Sequence, residues 1–254
     1  MRQKNFSKEL AIRAGRIDGI TKKSIIGHSD AVGTDLRPLY PGHSVADLNI
    51  SDLIALPATV KVASTDANDT SAGTGAQIVK ITGVTDAGLA TTENISLSGT
   101  TEVASTTVFQ AIEKIQVIAA GSGGTNAGTV WCGDGVFTAG VPATKYNSVE
   151  IGTNVSALCF GMVPSNHEWV IDQFSFYSGD TTKVLDFQIY QYSATTGLWY
   201  EAFDVHNKEG HILQPVAAYP PLEAGDAILM RTKVGTSTSI VTGAVTGYLV
   251  ELSD

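Results

Sequence analysis

Between Val60 and Gly133 short β-type runs alternate with clusters of Gly, Ser, Thr, Asn and Asp, and strong helix signals are almost absent. Such punctuation fits antiparallel strands joined by tight turns and leaves no room for long helices. The 26 glycines of the 254-residue chain suit many such turns. Charged residues are only 16%, against roughly 25% in an average soluble protein. Hydroxyl and amide side chains must therefore keep the sheet surfaces wet. Hydrophobic residues at 43% and a mean hydropathy of +0.10 exclude wholesale disorder. The length gives interior enough for two ordinary β domains.

Residues 1–59 lack sustained periodicity. Ser7 is placed to cap two helical turns over Lys8 to Ala14 that stop at Gly15, and Ser44 to Asp47 approximates a capping box before Leu48. Between them Gly27, Gly33, Pro38, Pro41 and Gly42 punctuate the chain too often for regular structure. So long a loop is unusual inside a compact domain, and the span is predicted to be an extended, irregular N-terminal arm.

A first β domain is expected over 60–135, with strands at 59–63, 77–82, 90–97 and 129–132. Thr106 to Ala119 carries both helical and alternating spacing, and is read as a strand with a bulge or a short helical turn at its start. Residues 136–147 are expected as a linker. Eight strands are then predicted in 148–254, near 148–151, 157–163, 169–177, 184–192, 198–205, 211–216, 227–234 and 240–252. In the fifth, alternation puts Trp199, Phe203 and Val205 on one face and Tyr200 and Asp204 on the other. The fold class is thus all-β: two β-sandwich domains, the C-terminal one jelly-roll-like, behind the arm.

The charge is unevenly placed. Of the sixteen basic residues, Arg2, Lys4, Lys8, Arg13, Arg16, Lys22, Lys23 and Arg37 fall in the first 37 positions, against Glu9, Asp18, Asp30 and Asp35. That span is +4, and the remainder −13, within a total of −9. A basic arm on an acidic body suits docking onto an acidic partner, and these eight residues are the candidate assembly arm. No continuous apolar run follows Met1 to Lys4 and no 18-residue apolar span occurs, so no leader and no membrane partner are expected.

Motifs for chemistry do not complete themselves. Gly121 to Asn126 lacks the third glycine and the helix of a phosphate loop, and is read as a tight turn. His167-Glu168 lacks a second ligand, because position 171 is Ile. His28-Ser29-Asp30 is only adjacent in sequence, with no nucleophile elbow. Asp66-Ala67-Asn68-Asp69 has calcium-type oxygens without the glycine and distal Glu of an EF-hand loop, and reads as an Asx-type turn. Cys132 and Cys159 lack zinc spacing; two buried thiols are expected, a single disulfide being the alternative. No enzyme activity, cofactor, metal or nucleic-acid partner is expected. Tyr190, Tyr192, Trp199 and Tyr200 form a candidate stacking surface for sugars, although aromatics in a sandwich more often fill its core.

Three stretches carry a resemblance: Val62 to Ala76 (VASTDANDTSAGTGA), Leu97 to Thr101 (LSGTT) and Ala120 to Gly128 (AGSGGTNAG). In this order, with Pro41-Gly42-His43-Ser44 upstream, they resemble a family of virion structural proteins of tailed bacteriophages, notably marine ones. The likeness covers roughly residues 25–135. It implies a non-enzymatic particle component made in the bacterial cytoplasm and located in the virion: a capsid decoration (cement) protein or a head/tail adaptor or fibre part. The expected partners are copies of itself, with a trimer favoured because edges and arms need covering, and other virion proteins such as major capsid, portal or tail proteins. The other class of function the residues allow is a receptor- or carbohydrate-binding module of a fibre.

Overall fold

A computed structural model describes residues 17–41, 48–54, 58–179, 184–207, 211–215, 219–235 and 238–252. Among these residues, apart from a short 3-10 turn at Ile50–Ile54, the regular elements are all strands, and every ladder is antiparallel.

Two sheets form a sandwich. The first runs β1 (Ile20–Val32), β15 (Ser239–Glu251), β10 (His167–Ser178), β13 (His211–Pro215). The second runs β12 (Leu198–Asn207), β11 (Leu185–Ser193), β14 (Ala227–Val234), β2 (Arg37–Pro38), with β9 (Phe160–Met162) also on β14. Their inner faces share one core, in which Trp169, Phe174 and Phe176 of β10 meet Phe187 and Ile189 of β11 and Met230 of β14. Phe176 and Phe187 pack with ring centroids 4.4 Å apart.

The third sheet holds β5 (Ala90–Ser96), β4 (Ala76–Thr85), β6 (Val103–Ala120), β3 (Ala58–Ser64), β7 (Val130–Thr138) and β8 (Val141–Val149), in that order. It has its own core, including Val62, Val79, Ile81, Phe109, Ile115 and Cys132. A third apolar cluster joins the two units: Tyr40, Leu53, Phe160, Met162 and Leu229 pack with Val84 and Ala111 of the third sheet. The all-β class read from the sequence is what is seen.

Several details differ from expectation, each for a physical reason. Residues 20–32, read as irregular arm, form β1, paired along β15 in unbroken register from Ile20 to Ser29. The alternation was hidden because two inward positions are Gly27 and Ser29, both buried. A Cβ on Gly27 would lie 2.6 Å from Cys159 Cβ and 2.8 Å from Leu39 O, so only glycine fits there. The helical turns expected at Lys8 to Ala14 and the capping box at Ser44 to Asp47 lie outside the described residues. Residues 136–147, expected as linker, hold the end of β7 and most of β8, joined through Ala139 and Gly140 at positive φ. On β12 a register shift opposite Ile189/Tyr190 turns Trp199 and Phe203 to opposite faces, Phe203 to the sandwich core and Trp199 to the joining cluster. A bulge breaks period-two counting. The ambiguous 106–119 run lies wholly within the 18-residue β6, whose pairing with β4 shifts register repeatedly.

Candidate functional site

The candidate assembly arm is only partly in view: Arg2, Lys4, Lys8, Arg13 and Arg16 lie outside the described residues. Of the rest, Arg37 Nη2 donates to Asp35 Oδ2 at 2.5 Å. Lys23 is drawn inward. Its Nζ donates to Glu113 Oε1 at 2.5 Å and to Met162 O at 2.7 Å, and lies 5.0 Å from the Trp169 ring centroid. The same Glu113 oxygen accepts from Met162 N at 2.8 Å. The pair is nearly buried, with side chains 10% and 15% exposed, and it links β1, β6 and the segment of β9. Glu113 gets there because it is the extra residue of a β6 bulge: Lys114 opposes Thr82 and Ile112 opposes Gly83. Sequence reading missed Glu113-Lys114, although a charged pair between the apolar residues Ile112 and Ile115 was the available signal.

Lys22, the third of these basic residues in view, is exposed. With Lys23, Glu113 and Lys114 it lines a cleft of about 410 Å³ between β1 and the third sheet. The cleft is therefore basic in a chain that is acidic overall. Ile26, Val84, Val155 and Leu249 add apolar wall.

The three stretches that carry the resemblance converge at one end of the third sheet. Asp69 is fully buried at their centre. Its Oδ1 accepts from Ala76 N at 2.6 Å and Ala127 N at 2.8 Å. Its Oδ2 accepts from Ser64 Oγ at 2.5 Å and Gly128 N at 2.8 Å. Around it Gly99 N donates to Asp69 O, Ser64 N to Gly99 O, Gly121 N to Gly75 O and Gly123 N to Thr74 O. A Cβ on Gly121 would lie 2.1 Å from Gly73 O. Gly121 to Gly128 is thus a turn in which the amides of Gly121, Gly123, Gly124, Asn126, Ala127 and Gly128 are bonded within the chain itself. Asp66 makes the expected Asx turn, accepting from Asn68 N at 2.8 Å. Asp69 has both oxygens engaged by protein donors.

Tyr190, Tyr192 and Trp199 are brought together, half-buried against the joining cluster, with Tyr192 and Trp199 centroids 5.6 Å apart. Tyr190 stacks under Arg231 at 4.5 Å. Tyr200 pairs with Gln191 on the opposite face and is 44% exposed. Near the other end of β12, His206 Nδ1 bonds Asp186, while its Nε2 lies 3.2 Å from Asp204 and Lys233 Nζ lies 3.1 Å from Asp186. The hydrogen bond and charge of Asp186, then the charge of Asp204, hold His206 above the usual histidine range. Burial pushes the Asp186 carboxyl up, but its bonds to His206 and Lys233 outweigh this and leave it lowered.

His28 and Asp30 meet, but Ser29 does not join them. Nδ1 of His28 is 2.8 Å from Thr242 Oγ1 and Nε2 is 2.9 Å from Asp30 Oδ1, while Ser29 is buried on the inward face. His167 starts β10 with Nδ1 2.8 Å from Ser165 O. Cys132 and Cys159 are unpaired and buried; burial raises both thiols, Cys159 to about 12. Among the described residues no group of three His, Cys, Asp or Glu is placed to hold a metal. No helix among them is long and apolar enough to cross a membrane.

No family model matches the chain, and no curated protein matches it. Among solved structures, it is similar at 10% identity to one described as the structure of infectious bursal disease virus, Gt strain, over 93% of this chain and 78% of that one, with a TM-score of 0.20. The Gx strain structure gives 9% identity, coverage of 91% and 71%, and a TM-score of 0.19. Overlap that slight carries nothing about this chain's fold family or role.

Proposed function

We propose that this chain is a non-enzymatic structural subunit of a tailed-bacteriophage virion, assembling as a homo-oligomer, with a trimer favoured. Its place is on the particle as a decoration or cement protein, or as an adaptor or fibre component at head or tail. Major capsid, portal or tail proteins are its partners. The observation that carries the reading is the Asp69 knot. The residues that resemble virion proteins are those that spend their polar groups on locking turns together. They build a rigid block and offer no reacting group.

A receptor- or carbohydrate-binding role is the second reading, favoured by the adjacency of Tyr192 and Trp199. It requires Tyr200 to act apart from them, which makes it the weaker one.

Multi-angle light scattering tests the assembly reading. The expected mass is three times the 26.6 kDa of one chain. A stable monomer at high concentration would count against it.

A further inference from the structure

We infer that the cleft beside β1 is a docking site for an extended acidic peptide segment, which adds to β1 as a further strand. β1 is the edge of its sheet. His28 N–H donates to Ala157 O at 2.9 Å, away from β15. Backbone groups of alternate residues point to the same side of a strand. The register of β1 with β15 is unbroken from Ile20 to Ser29. The N–H and C=O groups of Lys22, Ser24 and Ile26 therefore also face away from β15. Among the described residues these groups have no hydrogen-bond partner. Segment 155–158 covers the edge at His28 and leaves it open upstream, where Lys22, Ser24 and Ile26 line the cleft.

An unpaired edge is a template for an added strand, with main-chain bonds giving affinity and side-chain pockets giving specificity. Lys22 to Ile26 spans about 13 Å at the usual rise, room for a segment of about five residues. Charge selects the occupant. Lys22 and Lys114 are exposed, make no ion pair among the described residues, and stand on the two walls of the cleft. Lys23 is already neutralised by Glu113. An occupant carrying carboxylates opposite these lysines and apolar side chains toward Val155 and Leu249 is complementary. The chain's own residues 1–16 are net basic and carry the wrong sign.

The inference deepens the assembly reading, and rests on it in taking the occupant to be a protein segment. Hydrogen exchange read by mass spectrometry on the intact chain tests it, with acetyl-Glu-Val-Glu-Val-Glu-amide as probe. At millimolar probe, exchange across residues 20–28 should slow at least about 5-fold, as expected for edge amides gaining strand partners. The peptide with lysine in place of glutamate should have no effect. The double variant Lys22→Glu/Lys114→Glu should bind the probe at least about 10-fold more weakly, and added salt should weaken wild-type binding. Ser24→Pro removes an outward donor without a β15 ladder bond, and should also weaken it. No slowing in the wild-type chain, or equal slowing by the lysine peptide, overturns the inference. Probe binding by a chain that never oligomerises or joins a particle upholds the cleft and defeats the assembly reading; assembly without probe binding does the reverse.

Discussion

Asp69→Ala lowers the melting temperature by about 10 °C, because it removes the acceptor that four donors share, three of them buried and one partly so. Bonds to a charged acceptor contribute roughly 1.5–3 kcal/mol each before non-additivity, and orphaned buried donors cost more than the bond itself. A net loss of about 4 kcal/mol follows, and at roughly 2–4 °C per kcal/mol for a chain of this size the shift is large. The amide of Ala76 comes from one stretch and those of Ala127 and Gly128 from another, so the loss also unties Val62 to Ala76 from Ala120 to Gly128. Asp69→Asn should fall between wild type and alanine, since its amide points donors at donors. Asp66→Ala is the control. Among the described residues that carboxylate accepts only from Asn68, and its loss should stay under about 1 kcal/mol, as for most surface changes. Calorimetry giving equal shifts for Asp66→Ala and Asp69→Ala would break the account of the knot.

Glu113→Ala has the second largest expected effect, about 3 kcal/mol. It strands the Lys23 ammonium and Met162 N–H in a nearly dry seam, and removing one partner of a buried pair costs roughly 3–5 kcal/mol. Lys23→Met/Glu113→Leu should cost less than Glu113→Ala alone, because no charge is then left buried. A denaturant double-mutant cycle reads this directly as a coupling energy above about 1 kcal/mol. Additive single effects would show that the pair does not bolt the two β units together.

The sequence made the all-β class legible through turn chemistry and alternation, and it placed most strands of the second unit. It failed where packing overrode pattern. At Gly27 and Ser29 small inward residues erased the apolar stripe of β1, so a sheet strand read as arm. At Ala202 and Glu113 bulges turned side chains against the period, which misplaced Trp199 and hid the Lys23 partner. Asp69 was visible as an Asx-turn residue, but its bonds to Ala127 and Gly128 span 58 and 59 positions, which no local pattern announces. The cleft was invisible for a similar reason. Lys22 and Lys114 are far apart in sequence, and only the folding of β1 against the third sheet sets them on facing walls.

The function proposed above makes this chain a building block of a virus particle. Immunogold electron microscopy of density-banded particles from the culture that encodes it, with antibody raised to the purified chain, tests that most directly. Gold at a fixed position on intact particles, head or tail, is the predicted result. Unlabelled particles, with the chain confined to the soluble fraction, would contradict it.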